Sequence, residues 1–138
     1  MALKQALFAN LVFNEEDELV QVVHLENKPH YVIPDAGFKR HVEALYIDRQ
    51  VVSMIREQIL SQRELVTEGI LRMLGKDDLF TKAMIDTSIE HMDDQIFEQG
   101  LPQEARAWLG MLGLKVIVDY HGDVVHLEMP TKEIPLDE

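Results

Sequence analysis

The sequence predicts an α+β fold, in which strands at both ends of the chain enclose a helical middle. Strand-like apolar segments lie before residue 45 and after residue 114, and between them apolar residues recur at helical spacings of three, four and seven. Segregated strands and helices are typical of an α+β domain. We expect one domain over 1–138, made of a β-meander at 1–45, helices at 48–112, a β-hairpin at 114–129 and an acidic tail at 130–138.

Two hairpins are predicted in the N-terminal third. Segments 7–13 and 19–25 are rich in Leu, Val and Phe, and a short acidic stretch separates them, as a polar hairpin loop would. A second hairpin is expected to join 30–33 to 38–42. Its turn contains Pro34, which presets the backbone, and Gly37, which supplies a positive φ.

A long helix is predicted next. Its apolar stripe starts after Asp48, a residue type that caps helix N-termini, and ends near Gly75. The same seven-residue spacing extends back to Phe38, so a longer helix from about residue 38 is the alternative to the second hairpin. The turn residues before Phe38 favour the hairpin.

Two further helices and a hairpin complete the expected elements. Asp77 is the predicted cap of a second helix, which has a broad apolar surface up to Gly100. Pro102 suits the first position of a short third helix, and apolar runs flank a tight turn at Gly122. Because a lone hairpin is marginal in water, we expect the C-terminal pair to join the N-terminal strands in one sheet, with helices on one face.

Composition narrows the class of protein. The chain has no cysteine, which excludes disulfides, thiol catalysis and cysteine-bound zinc. Its apolar runs are far shorter than a membrane span and its start does not resemble a signal peptide, so a soluble cytoplasmic protein is expected. A net charge of −12 opposes binding to nucleic acid and to anionic membranes.

One pentapeptide, Val-Val-His-Leu-Glu, occurs at 22–26 and again at 124–128. Side chains two apart on a strand share a face, so paired strands would bring together His24, Glu26, His126 and Glu128. Two imidazoles and two carboxylates suit a divalent transition metal such as zinc, manganese or iron(II). The simpler interpretation is the polar face of a half-buried sheet, and the repeat itself is then a coincidence.

Charged side chains form two further patterns on the predicted helices. Arg49, Arg56 and Arg63 are spaced by seven along the long helix, so they flank its apolar stripe and favour ion pairing, within the chain or with a second subunit, over ligand binding. Asp86 and Glu90 begin an acidic face on the second helix, which a hard cation could bind but which is more typical of a solvated surface.

The sequence contains no glycine-rich phosphate loop, no nucleophile elbow and no zinc-protease motif. We therefore expect an acidic, non-catalytic oligomeric or regulatory interaction module. Its apolar helix stripe outruns the sheet that it could cover, which predicts a homodimer built on the helix at 48–74. The alternative is a small metal-dependent enzyme or ligand-binding protein that uses the paired His-x-Glu strands.

Overall fold

The computed structural model describes residues 5–129, so the predicted acidic tail at 130–138 lies outside the described residues. The fold is α+β, as predicted. In chain order the described elements are β1 (Val12–Phe13), β2 (Gln21–Leu25), β3 (Lys28–Asp35), β4 (Phe38–Glu43), α1 (Ala44–Ser61), α2 (Arg63–Leu74), α3 (Leu79–Glu90), α4 (Met92–Gln99), α5 (Gln103–Leu112), β5 (Lys115–Val118) and β6 (Val124–Glu128).

The chain divides into two compact units. The strand unit combines 5–51 with 100–129 among the described residues, and the helical unit is Val52–Gln99. The boundary falls inside α1. That the chain folds as one cooperative domain stays a prediction.

The first sheet of the strand unit is an antiparallel meander in the order β2-β3-β4. Both of its turns have two residues, because Leu25 pairs with Lys28 and Asp35 pairs with Phe38. All four turn residues have positive φ, as this tight hairpin class requires. The predicted second hairpin is therefore present, and the competing helix from residue 38 is wrong.

The second sheet has the order β1-β5-β6, so the prediction of a single sheet is wrong. β1 runs parallel to β5, with Val12 opposite Val116, and β5 and β6 form the predicted C-terminal hairpin. The predicted hairpin of 7–13 with 19–25 is reduced to one bridge between Phe13 and Leu19. The reason is that β2 pairs with β3 through a two-residue turn, which leaves β1 to pair with β5.

The core of the strand unit is built from both sheets and from the start of α1. Its largest fully buried side chains include Phe8, Tyr31, Ile33, Ile47 and Val116. The predicted N-cap, Asp48, is also buried in this core, and the helix already begins at Ala44. The capping prediction is wrong because Asp48 accepts its hydrogen bonds from groups distant in sequence.

The described helices number five, where three were predicted. The long helix is interrupted at Gln62, whose backbone leaves the helical region (φ −123°, ψ 32°). The second is interrupted at His91 (φ −109°, ψ 16°). Neither break is at a glycine or proline, so no strong sequence signal marks it. None of the helices within 5–129 is both long and apolar enough to span a membrane.

Candidate functional site

The first His-x-Glu pair is divided between a strand and a turn. His24 lies on β2 opposite Pro29, on the sheet face that also carries Tyr31. Glu26 is past the end of β2, in the turn, with a φ of 52°. The two side chains therefore do not occupy alternate positions of one strand, which is the arrangement that the spacing predicted.

The second pair keeps the expected geometry. His126 and Glu128 both lie on β6, and His126 Nε2 is 3.8 Å from Glu128 Oε1. However, β6 and β2 belong to different sheets, so the in-register pairing of the two copies is not formed. A metal ion shared by His24, Glu26, His126 and Glu128 stays a prediction. Zinc titration of the wild type and of the double variant His24→Ala/His126→Ala would test it.

Two of the three arginines that are spaced by seven make hydrogen bonds or ion pairs within the helical unit. Arg63 donates to Glu90 Oε1 over 2.8 Å and lies 3.4 Å from Asp86 Oδ1, which also accepts from the Thr67 hydroxyl. Arg56 Nη2 donates to the Glu90 carbonyl over 3.3 Å. Asp86 and Glu90 thus have an arginine as their counterion. Arg49 is exposed and has no ion pair with residues 5–129.

A carboxylate cluster lies at the tip of the β5–β6 hairpin. Asp119, His121 and Asp123 can each direct one ligand atom to within 4.8 Å of the others. The Asp119 carboxylate accepts hydrogen bonds from the backbone N–H groups of His121 and Asp123. Tyr46 donates its hydroxyl to Asp123 over 2.5 Å. These hydrogen bonds give both carboxylates a structural role, because they stabilise the turn.

The most exposed apolar surface of the helical unit lies around the turn between α2 and α3. We call it the helix-turn patch, and it consists of five large apolar side chains that are 56% to 87% exposed: Met73, Leu74, Leu79, Phe80 and Met84. Phe80 and Met84 are four residues apart on α3, so they lie on the same side of the helix. Several large exposed apolar side chains so near one another in sequence are typical of an interaction site.

The turn that carries the patch has a defined backbone. Gly75 ends α2 in the left-handed region (φ 68°) and Lys76 N–H bonds back to the Leu71 carbonyl, which is a helix C-cap. Asp78 begins α3, where its carboxylate accepts from Thr81 N–H over 2.8 Å. This bond lowers the pKa of Asp78. Because both helix ends are capped, the backbone that carries the patch has a defined conformation.

The charges around the patch differ from those of the whole chain. Residues 72–84 carry three basic and two acidic side chains, whereas the chain has a net charge of −12. The sequence predicted a broad apolar surface on the second helix. It did not indicate that the surface would remain exposed, because exposure depends on how the helices pack.

Compared with protein-family models, curated proteins and solved structures, the chain has no match in any of the three. Its function is therefore inferred from the geometry described above.

Proposed function

We propose that the protein is a non-catalytic interaction module that self-associates as a dimer through the helix-turn patch. The observation that carries this proposal is the exposure of five large apolar side chains at the end of α2 and the start of α3, where both helix ends are capped. Side chains on capped helix ends cannot be buried by a local rearrangement of the backbone as readily as those of a disordered loop. A partner surface would remove them from water.

The apolar area of the patch is large enough to support association. Burial of one large apolar side chain contributes about 1.5–3 kcal/mol when it is complete. Two copies of the patch contribute ten such side chains, all more than half exposed in the single chain. Association costs about 4–15 kcal/mol in lost translational and rotational freedom, and burial of these side chains is of the size needed to offset that cost.

The charges around the patch favour a second copy of the chain as the partner. Two chains with a charge of −12 repel each other over most of their surface. Near the patch, Lys76 and Lys82 lie on either side of Asp77 and Asp78 in the sequence. In a two-fold contact each patch meets its counterpart, so the lysines of one copy can face the aspartates of the other.

The proposed interface differs from the one predicted along the long helix. Arg56 and Arg63 already have partners within the chain, and the helix is interrupted at Gln62. The apolar side chains around the turn between α2 and α3 are exposed and available to a partner. The proposal takes the protein as cytoplasmic and as binding neither nucleic acid nor anionic membranes, since its charge opposes both.

Sedimentation velocity over a dilution series tests the proposal. Phe80→Glu places a charge within the patch, where burial of an unpaired carboxylate is costly. We expect this substitution to raise the dissociation constant at least about tenfold, which corresponds to about 1.4 kcal/mol.

Phe38→Glu is the matched control. Phe38 is 74% exposed and Phe80 is 75% exposed, but Phe38 belongs to the strand unit. The control should associate like the wild type. Equal association of the wild type and Phe80→Glu would contradict the proposal, and so would equal weakening by both substitutions.

A further inference from the structure

A groove in the strand unit lies between β4 and the tip of the β5–β6 hairpin. It has a volume of about 520 Å³ and is lined by Phe38, Lys39, Arg40, His41, Val42, Tyr120 and His121. This volume is within the range of about 300–1,000 Å³ that small-molecule sites occupy. None of the seven lining residues is acidic, although acidic residues outnumber basic ones by 25 to 13 in the chain.

The hairpin wall of the groove is fixed in place. Gly122 lies so close to β4 that a Cβ atom there would be 2.9 Å from Val42 Cγ1. Gln50 donates to the Gly122 carbonyl over 3.0 Å and accepts from Val124 N–H over 2.9 Å. Tyr46 donates to Asp123 next to the same turn. The groove is therefore preformed, which reduces the entropic cost of binding a ligand.

Strand alternation sorts the lining residues of β4 into two sets. Phe38, Arg40 and Val42 share one sheet face, and Val42 is the residue that contacts the hairpin tip. Phe38 and Arg40 are therefore on the side where Tyr120 lies, and the Arg40 guanidinium is 5.2 Å from the centre of the Tyr120 ring. Lys39 and His41 project from the opposite face, and Lys39 adds a positive charge nearby.

On the face of β4 that carries Val42, Arg40 offers hydrogen-bond donors and Phe38 offers an aromatic ring for stacking. Arg40 Nε donates to Asp35 over 2.7 Å, and its Nη groups make no hydrogen bond to residues 5–129. Arg40 is thus ion-paired with Asp35, and Nη donors that residues 5–129 leave unused suit a carboxylate or phosphate. Phe38 is largely exposed beside it, and exposed aromatic faces stack on planar rings.

We propose that this groove binds a small planar aromatic anion, whose ring stacks on Phe38 and whose carboxylate or phosphate accepts from Arg40. Phe38 and Arg40 are two residues apart on one face of β4, a separation of about 7 Å. One ring with one anionic substituent spans this distance. The site lies in the strand unit and is separate from the helix-turn patch.

Amide chemical-shift titration of the full chain tests the site at about pH 7, where a carboxylate is ionised. The probes are naphthoate and adenosine monophosphate, and the comparison compounds are naphthalenemethanol and inorganic phosphate, each added at constant ionic strength. We expect saturable shifts at 38–42 and 120–121 with at least one probe. Each comparison compound should bind at least about tenfold more weakly, since it lacks either the charge or the ring.

Arg40→Gln should weaken probe binding at least about tenfold, because it removes one charge-assisted hydrogen bond. Lys28→Gln is the control, because Lys28 is an exposed cation of the same sheet that does not line this groove. Binding of naphthoate alone would identify the ligand class as aromatic carboxylates, and binding of the nucleotide alone would identify mononucleotides. The absence of saturable shifts with both probes, or equal binding by Arg40→Gln, would overturn the proposal.

Discussion

The Tyr31 hydroxyl donates a hydrogen bond of 2.6 Å to the carboxylate of Asp48 in the core of the strand unit. The other carboxylate oxygen accepts from Leu7 N–H over 3.0 Å, and the Tyr31 oxygen accepts from Phe8 N–H over 3.2 Å. The pair therefore attaches the segment before β1 to β3 and α1. Burial is the main cause that raises the pKa of Tyr31, and it raises the pKa of Asp48 to about 6.

The raised pKa of Asp48 predicts that stability falls as pH increases from about 4 to about 6. Between its unfolded pKa of about 3.9 and its folded pKa of about 6, the folded state holds a proton that the unfolded state has released. Stability from this group is therefore greatest in acid and is lost as pH rises through the folded pKa. Asp48→Asn cannot ionise and should lack this loss.

Urea unfolding at pH values from about 5 to 7 checks this expectation. The wild type should lose about 1 kcal/mol of unfolding free energy relative to Asp48→Asn across this range, at about 1.4 kcal/mol per pKa unit. Other acidic groups titrate in both proteins, so the difference between the two isolates Asp48. Parallel pH dependences of the two proteins would show that Asp48 does not have a raised pKa.

The turn between β3 and β4 predicts a stabilising substitution. Ala36 has a φ of 48°, which costs a residue with a Cβ atom about 1–2 kcal/mol. Asn tolerates this region and is favoured before Gly in such turns. We expect Ala36→Asn to raise the unfolding free energy by about 0.5–1 kcal/mol in chemical denaturation. Ala36→Val is the control and should be destabilising, because a β-branched side chain tolerates positive φ poorly.

The close approach of Gly122 to Val42 predicts that Gly122→Ala destabilises the protein by about 1–3 kcal/mol. Two causes contribute, a φ of 89° and a Cβ position 2.9 Å from Val42 Cγ1. Gly37→Ala is a matched control, because Gly37 has a φ of 91° but no atom within 4 Å of its Cβ position. In thermal unfolding, Gly122→Ala should lower the midpoint more than Gly37→Ala does. Equal shifts of the two midpoints would mean that Gly122 and Val42 are not in close contact.

The central place of β5 in its sheet predicts that deletion of 114–138 abolishes cooperative unfolding. β5 lies between β1 and β6, and the side chains of Val116 and Val118 are fully buried. Loss of buried side chains at about 1.5–3 kcal/mol each removes most of a typical domain's stability. Circular dichroism during heating is the measurement. A sharp transition near that of the full chain would contradict the prediction and show that the rest folds independently.

Local patterns in the sequence were sufficient for some of these elements. The β5–β6 hairpin follows from alternating apolar residues around Gly122, and the short helix expected after Pro102 is α5. Gly37 was likewise recognisable as a turn residue, but Pro34, which was predicted in the same turn, lies in β3 and pairs with Lys39. Each of these features depends on residues that are close together in the sequence.

The features that were not predicted depend on contacts between distant segments. The parallel pairing of β1 with β5 joins residues about one hundred positions apart, and no local pattern indicates it. Asp48 resembles a helix cap in sequence, yet Tyr31 and Leu7 determine its place in the core. The helix-turn patch was recognised as apolar, but its exposure follows from the packing of α2 and α3.

The molar mass of the full chain by light scattering, at micromolar concentration and on dilution, tests the central claim most directly. The proposal predicts a mass near twice the 15.9 kDa of the chain, which falls towards the single-chain value as the protein is diluted. A mass that stays at 15.9 kDa at every concentration would contradict self-association through the helix-turn patch.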